Sequence, residues 1–443
     1  MFKKYKNLYS LIDKYKLFFI IFLIIINIYN VFLHKLNYIT LKSNRMKKII
    51  YLNLIKNISI KNKESLIACL NKYKNQTKKN TIIFADYYPS KNCYDKSAFL
   101  LFEYYLNNNI DIAYYIINSQ SDFYKSLLQN NKTKNLILYN NTNLLSFYQD
   151  LYNYLKDTKI IVNAYSIPLM QYIAAYVSYI KYLKINHGIK YFKVLYAKTE
   201  FIKELSNKKN VICSSPYEYE LYIKDLKYNS KLIHNASLAR YERFQYIKKN
   251  TKEKKCILVT FTYRTYNKFI FKKSLYKKNL ETLLNNNDLI KFLSNRNIEL
   301  IYIPHHKEVE LGKKYNQNSF KYCKLLNQSC LEHYIEQCSL LITDFSSISF
   351  DFMFQNKPVL FYSIDINDDN NIIEKKFMRK QNDTIYFGNY FSSQNLLIDK
   401  IKYYINSSFN IGDRLTKKYE SVFFYKNNIH KKIHEIINII LKG

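Results

Sequence analysis

The sequence predicts an α/β protein of two Rossmann-like parallel-sheet domains facing across a cleft, preceded by an N-terminal hydrophobic helix. Three observations predict it. The chain has 443 residues, too many for one core and comfortable for two domains. Hydrophobic residues make up 48%, enough to cover two sheets with helices. Short apolar runs alternate with amphipathic stretches in both halves, the rhythm of βαβ units. The expected divisions are residues 1–46 for an anchor or interfacial helix, 47–245 for the first domain and 246–443 for the second. The basic stretch RYERFQYIKKNTKEKK, beginning at Arg240, lies across the junction.

The elements follow in order. Residues 17–33, LFFIIFLIIINIYNVFL, hold Asn27 and Asn30 as their strongly polar members. As a helix this run spans about 26 Å, a marginal fit to a hydrocarbon core of about 30 Å. Lysines flank it on both sides, which gives no orientation signal, and no small-residue cleavage site follows. A short membrane anchor, an interfacial helix and a buried first helix all fit; the first two place the protein at a membrane. Then come a strand at Thr81–Asp86, a helix at Ser97–Leu106, strands at Asp111–Ile117 and Leu136–Tyr139, a helix at Asn143–Leu155, and strands at Ile160–Val162 and Val211–Ser214. The second half reads more clearly. Strands are expected at Cys256–Thr262, Ile298–Ile303, Leu340–Thr343 and Pro358–Phe361, with helices at Leu275–Leu293, Leu331–Gln337 and Ile348–Phe354. In such sheets ligands sit beyond the carboxyl ends of the strands, so the residues just after each strand carry the interest.

Composition narrows the partners. The formal net charge is +35, and nucleic acid is the first class such a value raises. It is set aside: the lysines spread along the whole chain, with no zinc-finger spacing and no compact basic recognition helix. The charge suits an anionic membrane surface, a polyanionic polymer or a nucleotide diphosphate. Seven cysteines, an odd number with no CxxC pair, argue against a disulfide framework. Cys323, Cys330 and Cys338 with His333 are a weak metal cluster, because Cys256 and Cys338 border apolar runs that read as buried strands; no metal and no cofactor is expected.

Four constellations carry chemistry. In LITDFSSISFDFMFQNKPVLF, from Leu341 to Phe361, a strand meets a polar turn and a short helix. Ser346 or Ser347 suits an N-cap, and a helix start with added hydroxyls also suits phosphate. Asp351 lies one turn past Ser347, placed to hold the turn or to touch a ligand hydroxyl. His305 and His306 follow a strand, as phosphate donors, as acid or base near neutral pH, or as a surface doublet. His187-Gly188 is a third signal, the glycine permitting a sharp turn or a close approach. Arg264 is one of few arginines in a lysine-rich chain, and after a strand it suggests forked binding of phosphate or carboxylate; Arg240 and Arg243 carry a weaker form of the same hint.

The block Thr343, Asp344, Phe345, Ser346, Ser347, Phe350, Asp351, Phe352, Pro358 and Tyr362, with Asp365 beyond, resembles the signature of the CDP-glycerol glycerophosphotransferase family, polymerases and primases of teichoic-acid-like polymers. Other landmarks appear in order. His187 and Gly188 resemble the family's His-Gly-Thr-Pro block, and Thr262, Tyr263 and Arg264 its Thr-Phe-Arg block. His305 resembles a strand-borne His-Pro, and Ala239 and Arg240 a Pro-Arg element. The resemblance runs over roughly residues 80 to 390. It implies a GT-B-like fold with the donor seated in the C-terminal domain and the acceptor in the N-terminal one. It implies transfer of a polyol phosphate, glycerol phosphate foremost, from CDP-glycerol or CDP-ribitol to a hydroxyl of a polyol-phosphate, lipid-linked or glycan acceptor, with release of CMP at the cytoplasmic face of the membrane. On this resemblance His187 is the base. It also implies that His305, a second catalytic candidate, binds the donor phosphates with the turn of Thr343, Asp344, Ser346 and Ser347; the residue reading adds Arg264 as a clamp on the donor, Asp344 as a group that fixes the turn through backbone N–H bonds, and Gly188 and Asp351 as supports. The chain departs from the pattern after Gly188, where Ile189-Lys190-Tyr191 replaces the threonine and proline; at His306; and at Ala239, where the proline is lost. Two other functions compete: a glycosyltransferase of the same fold using a nucleotide sugar, and a non-catalytic polymer-binding or assembly protein.

Overall fold

The protein is seen in a computed structural model that describes residues 81–86, 96–140, 144–165, 179–189, 209–247, 255–264, 274–305, 320–365 and 389–443, with single positions between. The expected N-terminal hydrophobic helix and His306 lie outside the described residues. Among the described residues no helix is long and apolar enough to cross a membrane.

The described residues form two compact units. One comprises β1 (Thr81–Ala85), residues 98–184 and the last residues, 440–443; the other is built on residues 185–439. In the first unit β2 (Ile112–Asn118), β3 (Leu136–Tyr139), β4 (Thr158–Asn163) and β5 (Lys181–Lys184) join β1 in the order β3-β2-β1-β4-β5. These strands run parallel. Helices α1 (Ser97–Asn107), α2 (Asp122–Gln129) and α3 (Leu144–Leu155) connect them. β1 is TIIFA, buried at every position, as a central parallel strand covered on both faces must be. Asp86, at its carboxyl end, accepts the backbone N–H groups of Ala98 (3.0 Å) and Phe99 (3.2 Å) and the Tyr115 hydroxyl (2.9 Å). The chain's own carboxylate thus occupies the positive end of α1.

In the second unit β6 (Asn210–Cys213) pairs parallel with β7 (Ile233–Asn235). α4 (Pro216–Glu220) follows β6, and α5 (Glu242–Ile247) follows β7. A six-stranded sheet then gathers β8 (Cys256–Val259), β9 (Glu299–Tyr302), β10 (Lys324–Leu325), β11 (Leu340–Thr343), β12 (Val359–Tyr362) and β13 (Tyr390–Phe391) in the order β10-β9-β8-β11-β12-β13. All of its pairings are parallel. Its helices are α6 (Leu275–Leu284), α7 (Asn287–Ser294), α8 (Leu331–Gln337), α9 (Ile348–Phe354), α10 (Gln394–Asn406), α11 (Gly412–Glu420) and α12 (Ile429–Lys442). β8, β11 and β12 are buried at every position. Their side chains meet Tyr276, Leu280 and Leu284 of α6 and Leu397 and Ile401 of α10 in one core.

Two differences from the sequence reading have clear causes. The helix expected over Leu275–Leu293 is two helices, because Asn286 leaves helical geometry and its side chain caps α7 through the Leu289 N–H (2.9 Å). The strand expected to reach Thr262 ends at Val259, because the Thr262 N–H turns to the Asp344 carboxylate. Cys256 and Cys338 do border buried strands, and their sulfurs lie 2.7 Å apart.

Cys323 packs in this core, and burial pushes its thiol up to about 12. Native protein treated with iodoacetamide at pH 8 should therefore leave Cys323 unmodified, as read by peptide mass spectrometry. The unfolded thiol loses its proton near its ordinary value of 9.0 while the folded one holds it to about 12. This group's contribution is constant below pH 9 and falls as pH rises through that window, so urea midpoints should decline above pH 9.

Candidate functional site

The site is built on the turn between β11 and α9. Thr343, wholly buried, donates its hydroxyl to the Thr260 carbonyl (2.6 Å) and ties β11 to the end of β8. Asp344 accepts the Thr262 N–H with both oxygens (3.0 and 3.1 Å). Arg264 donates from Nη1 to Asp344 (2.8 Å) and to the Thr262 carbonyl (2.7 Å), and from Nε and Nη2 to the two oxygens of Asp365 (2.7 Å each). Its guanidinium lies by the rings of Tyr276 (5.0 Å) and Phe345 (5.1 Å), and the residue is 3% exposed. The fork that suggested a phosphate clamp thus closes on two of the chain's own carboxylates. Arg264, Thr343 and Asp344 form a floor that joins the ends of β8, β11 and β12.

Above that floor the hydroxyls of Ser346 and Ser347 are half-buried. Ser347 stands at the N-cap position of α9 but has helical dihedrals (φ −64°, ψ −13°), and its side chain makes no capping bond. A capping serine needs extended backbone, as at Ser121 (ψ 148°) and Ser274 (ψ 147°), which do cap their helices. Among the described residues the Ser346 hydroxyl accepts at long range, from the Ile348 N–H (3.5 Å). The turn therefore keeps its serine hydroxyls largely out of helix capping, in contrast to the Asp86 turn.

The His-Gly pair belongs to the same unit as this turn. Asn186, buried and left-handed (φ 55°), donates its amide to the Ile212 carbonyl (2.9 Å) and the Tyr222 hydroxyl (3.1 Å), which sets the chain leaving β5. His187 follows, exposed, and Gly188 is buried. A Cβ on Gly188 would lie 2.9 Å from Ser347 Oγ and 3.2 Å from Ser347 Cβ. A larger residue there would push the Ser347 side chain aside. Asp351, 1% exposed, accepts from Arg240: Nε at 2.9 Å, Nη2 at 2.6 and 2.9 Å. Arg240 Nη1 donates to the His187 carbonyl. His187, Gly188, Arg240, Ser347 and Asp351, spread over some 160 positions in sequence (roughly 351 minus 187), form one cluster.

His305 follows β9, which neighbours β8. It is half-buried, and its ring centroid is 5.0 Å from that of Tyr263. Residues after β9, β8 and β11 thus share one carboxyl edge. Arg243 pairs with Glu332 (3.2 Å) and Glu336 (3.0 Å). Asn186 was not singled out from the sequence; its signal was an asparagine at a strand exit, a residue that tolerates the left-handed region.

The family described as CDP-glycerol:poly(glycerophosphate) glycerophosphotransferase matches residues 67–441. The minor teichoic acid biosynthesis protein GgaB of Bacillus subtilis (strain 168) is 25% identical over 386 residues, covering 78% of this chain and 38% of that protein; the chain spans well under half of that relative's length. Among solved structures the wall teichoic acid polymerase TagF is similar, with a TM-score of 0.58 and 16% identity over 91% of this chain and 99% of that one. A histidine-to-asparagine variant of TagF has also been solved after a soak with CDPG. Staphylococcus aureus MnaA, solved with UDP, has a TM-score of 0.51 and 13% identity over 82% of this chain and 96% of that one. These similarities share the two parallel-sheet units.

Arg264→Met leaves Asp344 and Asp365 buried without their cation. It should cost about 3–5 kcal/mol in urea unfolding, whereas Arg243→Met, at a partly exposed ion pair, should cost about 1 kcal/mol or less.

Proposed function

The chain belongs to the CDP-glycerol:poly(glycerophosphate) glycerophosphotransferase family, and from that premise we propose that it transfers a polyol phosphate, glycerol phosphate foremost, from a CDP-polyol to a hydroxyl of a growing teichoic-acid-type polymer or its lipid-linked primer. The observation that carries the reading is the seating of His187-Gly188 against Ser347, at a helix start whose serine leaves its hydroxyl out of capping.

In this reading the donor diphosphate lies over the turn, where the Ser346 and Ser347 hydroxyls donate to its oxygens. His305 adds a donor from the end of β9, the strand next but one to β11. The exposed His187 imidazole takes the proton of the acceptor hydroxyl as its oxygen attacks the phosphorus that bears the glycerol. A new P–O bond forms to the acceptor, the P–O bond to the CMP phosphate breaks, and CMP leaves with the electron pair. Arg264, Thr343 and Asp344 hold the turn in shape; their polar groups are engaged with one another and with backbone, so they serve the donor by fixing the serines. The net charge of +35 supports work against an anionic membrane surface, where a lipid-linked acceptor would lie.

Incubation with CDP-glycerol and, separately, CDP-ribitol should release CMP from the preferred donor only when an acceptor-bearing membrane fraction is present. Release of a nucleoside diphosphate from a nucleotide sugar instead would make the protein a glycosyltransferase. His187→Ala should remain folded and lose roughly 10²–10⁴-fold in turnover. Ser347→Ala should raise the donor KM more than the acceptor KM; equal effects on both would contradict the donor seat.

A further inference from the structure

The base assigned to His187 has its main chain gripped from behind. Arg240 is 7% exposed and reaches three places at once: both oxygens of Asp351 on α9, and the His187 carbonyl. The arginine itself stands on fixed ground. Its neighbour Tyr241 is buried among Phe354 (4.4 Å between ring centroids), Phe244 (5.7 Å) and Phe423 (5.9 Å). The start of α12 holds the same turn: the His430 ring lies 2.8 Å from the Ala239 carbonyl, and Glu242 accepts the Ile429 N–H (2.6 Å). From the other side, Gly188 presses on Ser347. The His187 backbone is therefore fixed relative to the serine turn by a forked hydrogen-bonding cation on one side and a side-chain-free contact on the other.

We propose that Arg240 is a positioning residue, which sets where the His187 imidazole stands relative to the Ser346–Ser347 turn by joining the His187 carbonyl to Asp351. It touches neither the reacting hydroxyl nor the phosphorus. Its work needs the planar fork, because two carboxylate oxygens and a carbonyl must be reached together; a lysine keeps the charge as a single point and cannot span them. The arginine also ties the placement of His187 to the first turn of α9, the element that carries the donor seat. A base displaced by about 1 Å loses on the order of 10²-fold in rate while ground-state binding is little changed.

The inference rests on the reading of His187 as the base, and its test has one readout that does not need turnover. In the full chain with labelled histidine, the His187 ring signals are assigned by their loss in His187→Gln. In Arg240→Lys these signals should shift or broaden while those of His305 stay in place. In CMP release, kcat should fall on the order of 10²-fold with the donor KM unchanged. Asp351→Asn, which keeps size and shape, should give the same pattern and carries the test if the lysine variant does not fold. Unmoved His187 signals in either folded variant overturn the inference. So does a kcat, corrected for the folded fraction, equal to that of the wild type. A wild type that releases no CMP from either donor would instead count against the proposed reaction, and the ring signals would still judge the tether.

Discussion

The second unit depends on a charge that cannot leave. Arg264 sits at 3% exposure between Asp344 and Asp365, and through them and the Thr262 carbonyl it binds the segments that leave β8, β11 and β12. A buried guanidinium is tolerated only where its donors are met, and here the partners are carboxylates at strand ends. Each of those strands would otherwise emit a loop of its own choosing. With the ion cluster in place, the turn after β11 has one shape, and Ser346 and Ser347 stand where that shape puts them. The shape of the turn is thus set below the serines, by side chains engaged with one another and with backbone.

The two units handle the same local problem differently. A parallel strand followed by a helix exposes the helix's first N–H groups and their partial positive charge. After β1, Asp86 fills that position with a carboxylate and takes the Tyr115 hydroxyl as well. After β11 the acid again comes first, at Asp344, but it turns to Thr262 and Arg264 instead of to the helix start. The N-cap serine then adopts helical dihedrals and leaves its hydroxyl out of capping. One turn fills its helix start with a carboxylate; the other closes its first N–H groups on its own carbonyls and keeps a serine hydroxyl at the tip. That difference, more than the repeated βαβ rhythm, separates a structural strand end from a candidate donor seat.

How far this was legible follows from the kind of interaction involved. β11, α8 and α9 were readable to their ends because LLIT and ISFDFMF are mostly apolar, largely buried and bounded by turn residues, and LEHYIEQ places Leu331 and Ile335 one helical turn apart on a buried face. β5 and β7 were harder: KYLK and IHN are short and carry polar residues, and only their neighbours in the sheet make them strands. The serine turn, the His-Gly pair, Arg240 and Asp351 were each visible as residue types after strands. Their joining was not, because it rests on contacts between positions far apart in the chain. Arg264 shows the limit most clearly. Its type and place suggested a fork for an external anion, and nothing local disclosed that Asp344 and Asp365 would fill that fork from within.

The departures from the family pattern acquire a common meaning in this frame. The chain has no proline directly after Gly188-Ile189 or before Arg240, where the resembling family pattern would place a residue of fixed φ. A loop without one needs its position set by other means. Here the means are tertiary: Asn186 holds a left-handed exit from β5, the Ala239–Tyr241 turn is pinned by the start of α12 and an aromatic cluster, and Arg240 hands that rigidity on to His187. Proline stiffens locally and independently of the rest of the fold. The arrangement seen here stiffens only when α9, α12 and the turn before α5 are all in place. The position of the histidine is then conditional on the folding of the unit that carries the candidate donor seat, which couples the proposed base to that seat more tightly than a proline would.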